Sequence, residues 1–193
     1  MFFSKNIVIQ TKDYFFDFVF HNLFTKKTIE IPAYIKQTPI ISNLSNKINN
    51  KVLVIGYLGR LSEEKGLESL IDASFILNNK QVKHSIVIAG DNNDKRFKKY
   101  IDKLIKKIGN SQNIIFTGEL NENEKTSFFN SIDLLVLPSV NSFEAFGIVQ
   151  LEAMLSGTPV LVSNLKGVRI PVKYTKNGYI FKKNNVDEMV SYI

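Results

Sequence analysis

From residue 51 onward, short apolar runs alternate with amphipathic stretches. Residues 52–58, 84–89, 113–117, 134–137, 160–162 and 178–181 each read as strands. Between them apolar positions recur at three- and four-residue spacing. That spacing predicts helices over about 66–77, the basic stretch 95–108, 122–130, a helix opening near Gly147, and a last one over 186–193. Runs that are apolar throughout, rather than alternating, suit a parallel sheet covered on both faces. The expected fold class is therefore α/β, a doubly wound parallel sheet of Rossmann-like type. Ligands bind such sheets beyond the carboxyl ends of the strands, often at helix N-termini. Residues 1–50 keep no such rhythm. Residues 7–11 read as a lone strand, 14–24 are aromatic-rich without a clean period, and Pro32, Pro39 and residues 42–50 look like a linker. A segment of this length is too small for a second domain with its own core.

Composition narrows the class. A chain of 193 residues, 44% hydrophobic and 22% charged, buries one good core with an appended fragment. No run approaches the roughly 18 apolar residues of a membrane span, and the first residues lack the regions of a signal peptide. With no cysteine and only His21 and His84, neither disulfides nor a metal centre is expected. These features fit a cytosolic location. The net charge of +7 owes much to Lys95, Arg96, Lys98, Lys99, Lys103, Lys106 and Lys107. Phe97, Tyr100, Ile101, Leu104, Ile105 and Ile108 recur among them at helical spacing, so the cations coat the outer face of an amphipathic helix. A solvated face is the first reading, and peripheral contact with an anionic inner membrane face the second. No nucleic acid is expected, because no recognition module accompanies the charge.

Two loops carry chemistry. In residues 59–66, Arg60 leaves a strand end and Lys65 sits at a helix start, so both can reach a phosphate there, and the helix dipole adds to the attraction. Gly59 and Gly66 permit close backbone approach. The same residues also fit a polar loop whose Ser62, Glu63 and Glu64 are ordinary helix-start residues. In the second loop, Glu144 precedes a helix and Glu152 lies inside it, with Gly147 between them exposing first-turn N–H groups. Gly157 ends that helix. Taken alone, the two acids fit an α/β unit with surface glutamates. Gly118-Glu119-Leu120 follows the third strand, where backbone groups and an apolar side chain can receive a nucleobase, although glycine there is also a common turn.

The string Gly59-Arg60 with Lys65-Gly66, then Pro138-Ser139, Glu144, Phe146-Gly147, Leu151-Glu152-Ala153-Met154 and Gly157-Thr158-Pro159-Val160, keeps a known order and spacing. It resembles the E-x7-E motif of retaining glycosyltransferases with the two-Rossmann-domain GT-B architecture, of group 1 or family 4. The resemblance covers about residues 51–193 and implies a nucleotide-sugar-binding, donor-side domain. By that resemblance, Arg60 and Lys65 neutralise a diphosphate leaving group and Glu144 contacts the donor sugar, these three being the catalytic set. Glu152 holds ribose hydroxyls, and backbone groups around Phe146, Gly147 and Ile148 line the sugar-phosphate pocket. Gly118 and Leu120 receive the base. No metal or other cofactor is implied.

The chain also departs from the pattern. Residues 7–18 resemble the end of the acceptor domain and 29–35 the linker, so 1–50 is expected to be a remnant of that domain. The chain stops at Ile193, before the family's terminal crossing helix. Near Gly167 the family's Gly-Gly and glutamate are replaced by Lys166-Gly167-Val168-Arg169-Ile170-Pro171, and Asn92 replaces the second glycine after Gly90-Asp91. The expectation is a donor-binding half of an enzyme that transfers a hexosyl unit to a glycan, lipid or polysaccharide precursor. A partner chain would supply the acceptor domain. The alternatives are a non-catalytic nucleotide-sugar-binding or partner subunit, with the apolar segment 14–20 as its contact surface, and another α/β phosphate-binding enzyme such as a sugar-phosphate epimerase.

Overall fold

The computed structural model describes residues 5–16, 18–31, 33 and 52–193. The linker expected over 42–50 lies outside the described residues, as do Pro32, Tyr34, Ile35 and Pro39. Six strands form one parallel sheet: β3 (Leu53–Leu58), β4 (His84–Ala89), β5 (Ile114–Gly118), β6 (Leu134–Leu137), β7 (Val160–Ser163) and β8 (Gly178–Phe181). Their order is β5-β4-β3-β6-β7-β8, every pairing parallel. Counted from β3 this is the 3-2-1-4-5-6 order of a Rossmann sheet.

The apolar runs are explained by what covers the sheet. Alternate residues of β6 serve opposite faces. Val136 packs with α3 (Leu67–Asn79), α4 (Lys98–Ile108) and α8 (Val186–Tyr192), through Leu70, Ile101, Leu104 and Met189. Leu135 and Leu137 pack with α5 (Glu122–Ser131), α6 (Ile148–Leu155) and α7 (Ile170–Thr175), through Phe128, Phe129, Ala153 and Val172. Local signals set the helix starts. Asn121 and Glu124 close a reciprocal capping box on α5, and Asn185 caps α8 by accepting from the Glu188 N–H. Helix α7 carries Pro171 near its start; its single turn and a half is too short to show a period, and it is absent from the sequence reading.

The expectation of a lone strand at 7–11 needs correcting. β1 (Ile7–Ile9) pairs in parallel with β2 (Thr28–Glu30). Between them lie two one-turn helices, α1 (Lys12–Phe15) and α2 (His21–Phe24), too short for a helical period to register. The segment 14–20 is not uniformly an exposed surface. Phe15 is buried, whereas Phe16, Phe18, Val19 and Phe20 are exposed.

The basic face of α4 is knitted to its neighbours. Lys103 pairs with Glu68 at 3.0 Å and Lys107 with Asp72 at 2.7 Å, both acids on α3, while Lys98 pairs with Asp102 at 2.7 Å. Arg96, just before the helix, forks onto Asp94. Lys95, Lys99 and Lys106 face solvent. Among the described residues, no helix is long and apolar enough to cross a membrane.

Candidate functional site

The sheet reverses its winding between β3 and β6, so the loops that follow these two strands diverge and leave a crevice at their carboxyl ends. Both chemistry-bearing loops end there. They touch at Gly66, whose φ of +67° is left-handed and where a Cβ would fall 2.1 Å from the Pro138 carbonyl oxygen. Beside that approach the Val140 N–H donates to the Glu64 carbonyl at 2.9 Å.

Lys65 lies in a short 3₁₀ turn, Glu63–Lys65, which leads into Gly66, the N-cap of α3. Its ammonium is bonded to the Glu144 carboxylate, two side chains 79 residues apart in sequence and both largely buried. Arg60 leans instead on Glu64, 3.4 Å away, with its guanidinium in solvent reach. Burial pushes the Glu64 carboxyl up, but hydrogen bonding from Ser62 and the charges of Arg60 and Lys65 outweigh it and hold the group below the usual range. Both charges are largely withdrawn from water, so each depends on the other, and removing one partner would leave the other uncompensated.

Two hollows meet at Leu58 and Gly59. One, of about 630 Å³, is polar and is walled by Arg60, Asp91, Arg96, Glu119, Leu120 and Lys125. The other, of about 400 Å³, takes in Lys65, Glu144, Phe146, Gly147, Ile148 and, from the N-terminal segment, Gln10. Gly147, at φ +71°, is the N-cap of α6, so the first-turn N–H groups of that helix open onto the second hollow. Leu120 stands at the first hollow, and Gly118, at the end of β5, is not among the residues that wall it. Phe146 is buried and supports the wall, while Ile148 is exposed at the rim.

Glu152 stands apart from the linings of both hollows, a turn deeper on α6. It is half-buried near Lys125 and Glu122. Burial pushes its carboxyl above the usual range, Lys125 pulls it back, and Glu122 adds to the rise. The site residues thus form a pair (Lys65 and Glu144), a rim cation (Arg60) and a flanking acid (Glu152), rather than one cluster.

Several residues that shape the site escaped the sequence reading. Tyr57, almost wholly buried in β3, donates its hydroxyl to the Arg60 carbonyl at 2.7 Å and so fixes the start of the first loop. Burial foremost, and then the nearby Glu144 charge, keep that phenol well above its ordinary value and so protonated as a donor. Gln150, fully buried, donates to the carbonyls of Phe146 (2.6 Å) and Val168 (3.0 Å), stapling the second loop to the one after β7. A polar residue on the apolar face of a helix was the one available signal. Arg96 was read only as a surface cation, yet it lines the larger hollow.

A parallel six-stranded sheet in this order, with two loops and a charge pair meeting at its switch point, is a Rossmann-type ligand-binding domain. The chain belongs to the group 1 glycosyl transferases, whose family model matches residues 42–193. It is 38% identical over 133 residues to an uncharacterised glycosyltransferase of Methanocaldococcus jannaschii, covering 68% of this chain and 32% of that protein. It is 30% identical over 131 residues to the D-inositol 3-phosphate glycosyltransferase of Corynebacterium urealyticum, covering 66% and 30%. Among solved structures, Anabaena HepE in complex with UDP and glucose superposes with a TM-score of 0.78 at 22% identity, over 98% of this chain and 52% of that one. A glycosyltransferase from Rickettsia africae gives 0.81 at 16% identity, over 97% and 52%. The chain spans about a third of the length of these curated relatives and about half that of the matched structures.

Proposed function

We propose that this chain binds a nucleotide-sugar donor in the switch-point crevice and supplies the donor side of a retaining hexosyl transfer. The observation that carries this reading is the Lys65–Glu144 pair, held at the mouth of α6 beside the smaller of two adjoining hollows. The base lies in the larger hollow against Leu120 and the Gly118–Glu119 backbone. The ribose hydroxyls are directed to Glu152. The diphosphate spans the junction at Leu58 and Gly59, within reach of Arg60 and Lys65, and the sugar enters the smaller hollow toward Glu144. HepE, which shares the fold, has been crystallised with UDP-glucose, and that supports a ligand of this class.

The chemistry follows from where charge develops. Breaking the bond between the anomeric carbon and the diphosphate leaves negative charge on the departing oxygen. Lys65 and the α6 N-terminus are aimed at that place from a recess where water competes poorly, and Arg60 can reach it from the solvent-exposed rim. Glu144 accepts a sugar hydroxyl and, through Lys65, keeps the ammonium from swinging away. Neutralisation by these groups requires no metal, so dialysis against EDTA leaves donor affinity unchanged.

Calorimetric titration with UDP, GDP and ADP and their hexose conjugates tests the proposal, with Arg60→Ala and Lys65→Ala alongside. Saturable binding that both substitutions weaken is expected. Binding that is absent, or indifferent to both, overturns it.

A further inference from the structure

Two consecutive residues of α1 tie the N-terminal segment to two loops of the sheet: Tyr14 to the loop that carries Glu144, and Asp13 to the loop after β7 that lies against it. The Tyr14 hydroxyl donates to the Ser142 carbonyl at 2.8 Å. Asp13 holds the loop that follows β7. Its carboxylate accepts from the Gly167 N–H at 2.8 Å and takes a two-pronged bond from Arg169, Nε at 2.9 Å and Nη2 at 2.6 Å. Gly167 in turn lies on the residue after Glu144. A Cβ there would fall 2.0 Å from the Ala145 carbonyl oxygen and 3.1 Å from the Cβ of Tyr14, and its φ is +81°. Helix α1 is itself anchored, since Thr11 caps it by accepting from the Tyr14 N–H and the Lys12 N–H donates to Glu30 of β2.

We propose that Asp13 and Tyr14 are positioning residues that together set the 142–147 loop, and with it Glu144, in the orientation the donor sugar requires. The inference rests on the donor-binding reading above.

Geometry makes the effect selective. The clamp touches Ser142, which leads into Phe143 and Glu144 of the smaller hollow, and, through Gly167, Ala145, which lines that hollow. No residue of the 140s or 160s lines the larger one. Loosening the clamp therefore disturbs the sugar end of the crevice directly and reaches the diphosphate only through the Lys65–Glu144 pair, so UDP-glucose loses more affinity than UDP. Arg169→Lys keeps the charge and loses the fork. Asp13→Asn keeps an acceptor for Gly167 and loses the charge.

The experiment compares UDP and UDP-glucose affinities of the unsubstituted chain with those of Asp13→Ala, Asp13→Asn, Tyr14→Phe and Arg169→Lys. Hydrogen–deuterium exchange over residues 142–149 is followed in each. The expected result is a UDP-glucose dissociation constant raised roughly tenfold in Asp13→Ala, as misplacement of a binding group predicts. UDP affinity falls less than UDP-glucose affinity, Asp13→Asn recovers part of the loss, and exchange in the loop quickens in step. Equal weakening of UDP and UDP-glucose, or unchanged exchange over 142–149, overturns the proposal. Should the unsubstituted chain bind neither ligand, the donor-binding reading fails, and the exchange data alone decide whether the clamp orders the loop.

Discussion

The two ends of the parallel sheet both bury polar groups, and they do so differently. At the amino end of β4, His84 is buried and both its ring nitrogens are used, Nδ1 toward the Val82 carbonyl at 2.8 Å and Nε2 toward Ser74 at 2.8 Å and Asn113 at 2.9 Å. Each group there has a neutral partner in the framework, and the cluster closes on itself. At the carboxyl end, Lys65 and Glu144 join as full charges beside a hollow, held by backbone that approaches too closely for any side chain at Gly66. A closed neutral network adds stability and specifies packing. An ion pair facing a recess can exchange its partner for an anionic or hydroxylated ligand, and that is the mark of a site.

Several experiments break or sharpen this contrast. The largest effect belongs to Gly66→Val, which combines a disfavoured left-handed backbone with a collision against Pro138. A loss of about 3 kcal/mol or more in urea unfolding is expected, with donor binding lost as the loops part. Lys65→Ala comes next, raising the dissociation constant of a nucleotide sugar by roughly 10- to 100-fold, the range for a hydrogen bond to a charged group. A change below threefold would remove Lys65 from the site. His84→Ala should do the opposite, costing about 1–3 kcal/mol of stability through the groups it orphans while leaving affinity untouched.

Glu152 gives a smaller, pH-dependent test. Because burial raises its folded-state value, the group takes up a proton at higher pH than an ordinary carboxylate. Its charged form costs stability above that value, and the cost is relieved as pH falls through it. A ribose held by the carboxylate would weaken in the same window, so stability and affinity move in opposite directions. Titrations carried down from neutral pH into the carboxylate range should show a loss of affinity that begins at higher pH than for an ordinary carboxylate and that Glu152→Gln flattens. A profile identical in both proteins rules the role out. Least of all, Lys99→Glu and Lys106→Glu on the outer face of α4 should each change stability by less than about 0.5 kcal/mol, as read by thermal unfolding.

Much of this was legible along the chain. Residues 84–89, 134–137 and 178–181 are strands with the bounds suggested for them, most plainly 134–137, where a strand covered on both faces is apolar at every position. Gly147 before α6 and Gly66 before α3 were visible as helix openings for a similar local reason. The one-turn helices α1 and α2 and the short α7 were not, since a period needs two turns to show. Nor was the pairing of β1 with β2 across the two short helices, nor the contacts of Asp13 and Tyr14 with Gly167 and Ser142, partners more than a hundred positions away.

The sequence by itself determined the layered α/β architecture and the order of glycines, acids and cations along it, because burial and backbone conformation act on neighbouring residues. Only the tertiary structure decided which of those groups meet. It joined Lys65 to Glu144, left Arg60 at the rim and Glu152 a turn away, and placed the N-terminal segment against the loop that carries Glu144. Those outcomes are fixed by strand order and by how closely two backbones approach, and neither is written in the spacing of residues along one chain.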